Sequence, residues 1–203
     1  MLRHVRGVTL VELIIAMAIL GILLSLALPS FKEWVRNAKI RTTTESIQNG
    51  LQLARAEAVR RNTVVRFQLV DAANNSCSLS ATGPHWAVSL DNVAGKCGAT
   101  ASDTVDPRLV QLRNGTEGSD SNTVVAAALS GGGAAQSAIA FDGLGRVTPV
   151  PAADIQIDVS NSLPGTACIA SGGKNRCLRI IVTSGGQVRM CDPGLPSGNS
   201  QAC

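Results

Sequence analysis

The chain is 203 residues long, with 45% hydrophobic residues, 2% aromatic residues and no Tyr. That leaves room for one membrane-associated segment and one modest domain, but not for a large aromatic core or a base-stacking platform. Its formal net charge of +4 is too small for a dedicated duplex-DNA binder, though it allows a local basic patch.

A short basic leader, MLRHVRG, comes first and carries Arg3 and Arg6. Residues 8–28 follow, an apolar run of 21 positions in which Glu12 is the only charge. At 1.5 Å per residue they make a helix of about 31 Å, enough to span a bilayer core. The two arginines predict a cytoplasmic leader, with everything after Pro29 on the outer side. An ordinary secretory signal accounts for the basic start, and Ser25-Leu26-Ala27 offers it a cleavage site. Such apolar regions are shorter, however, and gain nothing from an acid. A plain membrane anchor leaves Glu12 equally unexplained. A carboxylate at bilayer depth costs about 2.5–3.5 kcal/mol and ordinarily has a partner.

The helix is expected to continue past Pro29. Phe31, Trp34, Val35 and Ala38, then Ile47, Leu51, Ala54 and Ala58, recur at spacings of three and four and read as one helix face to be laid against a sheet. Asn62 and Thr63 predict the stop, and "VVRFQLV" behind them a strand. Further strands are expected at 86–90, 123–129, 138–142 and 154–159, and within 177–191, where Ser184-Gly185-Gly186 suggests a tight hairpin. "SGGGAAQSA" (130–138) reads as a loop. The stretch 71–136 as a whole matches no recognisable pattern, and the tail 192–203 has no core-forming one. The fold class this implies is α+β.

Six cysteines (Cys77, Cys97, Cys168, Cys177, Cys191, Cys203) all lie beyond the apolar segment. None forms a CxxC, and only His4 and His85 could complete a metal site, so disulfides in an oxidising compartment are expected rather than zinc. Fifteen pairings are open. Pairing of sequence neighbours closes short loops at low entropic cost and is the expected one. No enzyme signature is present: His85 is the sole candidate base outside the leader, and GxSxG, HExxH and phosphate-loop motifs are missing. The chain is expected not to be an enzyme, and neither metal nor cofactor is expected.

Three stretches resemble a known family. "G-VTLVE" (7–12) resembles the type III signal of type IV pilins and type II secretion pseudopilins. "LARAEAVRRN" (53–62) resembles the helix end of the GspH/FimT/FimU group of minor pseudopilins and minor pilins. "AIAFDGLGRVTP" and the hairpin after it resemble that group's C-terminal strands. The likeness covers residues 1–70 and 137–191. It implies a pilin-like fold: a leader (1–7), an N-terminal helix (8–62, with 8–28 in the membrane) and an antiparallel, disulfide-stapled β head (63–203). It also implies cleavage by prepilin peptidase between Gly7 and Val8, with Val8 then N-methylated, although the family prefers Phe there. Glu12 would pair with the new terminal amine of a neighbouring subunit. Gly21 and Pro29 would bracket a stretch of helix able to loosen. The implied partners are other pilin or pseudopilin subunits, prepilin peptidase, the inner-membrane assembly platform and the inner membrane itself. The protein would cross that membrane once, with its head in the periplasm, and enter a filament supporting secretion or pilus biogenesis.

The alternative function is DNA uptake. Some FimT-type minor pilins bind DNA through a basic GRxR motif in the C-terminal hairpin. Here the aligned residues are Gly186, Gln187, Val188 and Arg189, so Gln stands where the first Arg is expected. Arg146, Lys174, Arg176 and Arg179 are the other candidate phosphate contacts. The interrupted motif and the small basic surplus make DNA the less favoured partner.

Overall fold

The computed structural model describes residues 9–115 and 122–203. The chain divides into two compact units, Met1–Arg36 and Asn37–Cys203. Helix α1 (Leu10–Arg61) contributes to both.

In the first unit the helix opens on Thr9. Its Oγ1 accepts the Glu12 N–H (3.2 Å) and its carbonyl accepts the Leu13 N–H (3.2 Å), so Thr9 is the N-cap. An 18-residue window of this helix has a mean hydropathy of 2.6 and no buried residue, long and apolar enough to cross a membrane. Ser25 turns its hydroxyl back to the Ile22 carbonyl (2.7 Å), which satisfies a polar group that a lipid environment could not.

In the second unit the helix buries Ile40, Ile47, Leu51, Ala54 and Ala58 completely. The lower half of the expected stripe is therefore the core face, but the upper half is not. Phe31 and Trp34 are 59% and 66% exposed, and Ala38 is exposed as well. At about 100° per residue, Ala38 lies roughly 160° round the helix from Ile40. Helical spacing alone does not say which residues of a stripe are buried. The helix ends where Asn62 takes a positive φ of 49°. The Thr63 N–H then reaches the Ala58 carbonyl (3.2 Å) and the Asn62 N–H that of Val59 (3.3 Å), a Schellman closure.

The eight strands of the described residues form two antiparallel sheets. The first contains β1 (Val65–Val70), β2 (His85–Ser89), β3 (Leu109–Arg113) and β5 (Ala138–Phe141), in the order β3-β2-β1-β5. The second contains β4 (Thr123–Leu129), β6 (Ile155–Asn161), β7 (Leu178–Val182) and β8 (Val188–Cys191), in the order β4-β6-β7-β8. Alternate residues of both sheets meet the helix: Val65, Phe67 and Leu69 of β1, Ile155, Ile157 and Val159 of β6, Ile180 and Val182 of β7. Phe67 and Trp86 pack ring to ring at 5.7 Å in this core.

The opposite face of the first sheet is covered too. Val70, Ala87 and Leu109 pack there with Val93, Cys77 and Cys97. Gln68 is buried among them, donating to Ser89 Oγ (2.8 Å) and the Asp91 carbonyl (3.0 Å) while its Oε1 accepts the Val93 N–H (3.3 Å). With its polar atoms bonded, its burial is tolerable. Strand β3 lies inside the stretch that the sequence left blank.

Candidate functional site

Gly7 and Val8 lie outside the described residues. Glu12 is the third residue of α1 and completes a Thr-x-x-Glu sequence with its N-cap. That is a position where negative charge is favoured by the helix dipole. Gly21 and Pro29 both sit within α1, whose helical assignment runs through them, and a Cβ on Gly21 would meet nothing within 4 Å.

The six cysteines are bonded as Cys77–Cys97, Cys168–Cys177 and Cys191–Cys203, with Cα separations of 6.1, 5.4 and 5.1 Å. The first ties the loop over the outer face of the first sheet. The last holds the tail beside β8, where the Asp192 N–H reaches the Gln201 carbonyl (2.8 Å) and Arg189 Nη1 reaches that of Ala202 (3.2 Å).

The candidate DNA contacts are mostly neutralised. Arg179 makes a two-pronged pair with Asp158 across β6 and β7 (2.6 and 3.1 Å), Arg176 binds Asp192 (2.7 Å), and Arg146 binds Asp142 (3.1 Å). Cross-strand register puts Arg189 opposite Ile181, so Arg179 and Arg189 share the solvent face of the second sheet. Among the described residues, Lys174 and Arg189 alone of the five lack a carboxylate partner. Two cations without carboxylate partners predict a log–log salt slope near −2 and binding to duplex DNA weaker than micromolar at about 150 mM salt. Anisotropy titration of the head measures both. Submicromolar affinity lost in an Arg179→Gln/Arg189→Gln variant would instead make DNA a partner.

The hairpin has a structural role that the sequence did not reveal. The 142–146 turn and the 184–186 turn touch backbone to backbone: Val147 donates to the Ser184 carbonyl (3.0 Å), and a Cβ on Gly186 would fall 1.9 Å from the Gly145 carbonyl oxygen. Arg55 of the helix donates its Nε to that same oxygen (3.0 Å). Asp142 organises its turn by accepting the N–H groups of Leu144 and Arg146 (both 2.9 Å), and the Arg146 N–H foremost holds its carboxyl below the usual range. Glu57, one turn before the helix end, is held down in the same sense by its hydrogen bond to Arg60, with Arg61 adding to it against the effect of burial. The helix end that resembles the family's carries a charge cluster next to the clasp residue Arg55. The spacing of Arg55, Glu57 and Arg61 was the available signal.

One groove, of about 480 Å³, lies between the helix and β3 and is lined by Thr42, Glu45, Ser46, Asn49, Trp86 and Arg113 among others. Trp86 Nε1 donates to Ser46 Oγ there (3.1 Å), and nearby His85 accepts the Gly115 N–H on Nδ1 (3.1 Å), so its imidazole is a turn-holding group. No group of His, Cys, Asp and Glu able to hold a metal occurs among the described residues.

The family model for the type II transport protein GspH matches residues 43–186, and that for the prokaryotic N-terminal methylation motif matches residues 2–28. Among solved structures, the type IV minor pilin FimU of Pseudomonas aeruginosa is 15% identical, covering 81% of this chain and 94% of its own, with a TM-score of 0.48. The minor pseudopilin EpsH from the Type 2 Secretion System of Vibrio cholerae is 14% identical over 78% of this chain and 99% of its own (TM-score 0.44). GspH of E. coli is also 14% identical, over 78% and 91% (TM-score 0.43). No curated protein matches the sequence.

Proposed function

The chain belongs to the GspH family of type II transport proteins, and on that premise we propose that it is a minor subunit of a type II secretion pseudopilus or type IV pilus. One observation carries the reading. A methylation motif over residues 2–28 overlaps a helix whose most apolar window is wholly exposed, while the same helix from Ile40 onward buries one face in the core. Such a chain needs a membrane, or the helices of other subunits, around its first half.

The proposed sequence of events follows from charge and burial. Prepilin peptidase cuts after Gly7 and leaves a cationic amine on Val8, four residues before Glu12; that amine is then methylated and keeps its charge. The subunit waits in the inner membrane with its head in the periplasm, where the three disulfides are stable. At the assembly platform Glu12 meets the terminal amine of a neighbouring subunit. An ion pair buried among apolar helices is strong enough to register one subunit against the next, because neither charge can be left alone there. Gly21 and Pro29 allow the helix between them to loosen as it leaves the lipid.

The test is processing. Mass spectrometry of the protein from cells with prepilin peptidase is expected to show Val8 as the first residue, carrying one extra methyl group. An intact Met1, or a terminus at Leu28, would refute the proposal.

A further inference from the structure

We propose that Phe31 and Trp34 form an aromatic anchor in the lipid headgroup layer on the outer side of the membrane, with Lys32 beside them reaching lipid phosphate. The inference rests on the membrane-spanning reading above. The chain has five aromatic residues: Phe67, Phe141 and Trp86 are buried in the core, whereas Phe31 and Trp34 are exposed and stacked on each other at 6.1 Å. In a chain this poor in aromatics, two adjacent exposed rings need a cover. They are not among the buried core residues.

Their height identifies the cover. If residues 8–28 fill a hydrocarbon core of about 30 Å, Phe31 and Trp34 lie about 4.5 and 9 Å beyond its edge. Helical side chains lean back toward the N-terminus, which returns both rings toward the headgroup zone. An indole suits that zone, with an apolar ring for the glycerol region and an N–H for carbonyl and phosphate oxygens. Lys32, exposed between the two rings in sequence, supplies a positive charge at phosphate height on a stem long enough to snorkel. The anchor sets the depth of the helix in the bilayer, and a subunit entering a filament must draw it out.

The full processed chain, reconstituted in phosphatidylethanolamine/phosphatidylglycerol vesicles, provides the test. The Trp34 emission is the wild-type signal minus that of Trp34→Phe, a surface change that leaves the core intact. Trp86→Phe, which leaves Trp34 alone, is the independent check. Lipids brominated near the headgroup end of the acyl chain should quench Trp34 about twofold more than lipids brominated near the methyl end, and aqueous iodide should quench it little. If the protein floats with alkali-washed vesicles but Trp34 is quenched by iodide and by neither lipid, or best by the deep bromines, the anchor is wrong and the membrane span stands. If the protein does not float, the span and the anchor fall together.

Discussion

Glu12→Leu is expected to leave the chain inserted in the membrane and to abolish its recovery in filaments. Insertion should improve, since a carboxylate costing about 2.5–3.5 kcal/mol at bilayer depth is gone. Incorporation should fail because the neighbouring amine then has no counter-charge in an apolar setting. The structure adds a rival explanation for the acid. Thr9 caps the helix and Glu12 stands at the third helical position, so a capping box alone would justify it. Glu12→Gln separates the two, because glutamine can serve a capping box but carries no charge. Losing a cap costs about 1 kcal/mol of helix stability, far too little to stop assembly by a 52-residue helix. Immunoblots of sheared filaments, or crosslinking to neighbouring subunits, should therefore show both variants excluded. Normal incorporation of Glu12→Gln would leave capping as the reason for the acid.

Gly186→Ala is expected to destabilise the head by about 3 kcal/mol or more, the sum of two costs. Gly186 has φ of +80°, where a side chain is strained, and its Cβ would sit 1.9 Å from the Gly145 carbonyl oxygen. That oxygen is main chain and is already held by Arg55, so it cannot swing aside. The neighbouring Gly185→Ala is the control. Its Cβ would meet only Thr183 Oγ1, at 3.8 Å, and the change should alter stability by less than about 1 kcal/mol. Urea unfolding of the Asn37–Cys203 unit measures both. Equal midpoints would mean that the two turns do not depend on each other's backbone. The glycine at the start of the GQVR stretch is, in this chain, a packing requirement of the hairpin.

Much of this was legible locally. "TVVAAAL" and the two arms of "CLRIIVTSGGQVRMC" are short apolar runs bounded by turn residues, and they are strands β4, β7 and β8 with a hairpin between the last two. The stop at Asn62 is a residue type that accepts a positive φ. The cysteine pairing present is the one between sequence neighbours. Strand β3, "LVQLR", escaped notice because an edge strand of five residues with one β-branched member has little pattern to read, and its pairing with β2 shifts register between Val88 and Ser89.

The apolar span with its single acid, the long helix and most of the strands are written in spacing and residue type along short stretches of the chain. Which face of the helix is core depends on packing. Phe31, Trp34 and Ala38 keep the same three-and-four spacing as Ile47 and Leu51, and burial is settled by what packs opposite, at Ile40, Thr44 and Ile47, not by periodicity. Only the tertiary structure, likewise, showed that Arg146, Arg176 and Arg179 already have carboxylate partners. Asp158 and Asp192 lie 21 and 16 residues from the arginines they neutralise, and a charge patch is a sum over neighbours in space that no stretch of sequence contains.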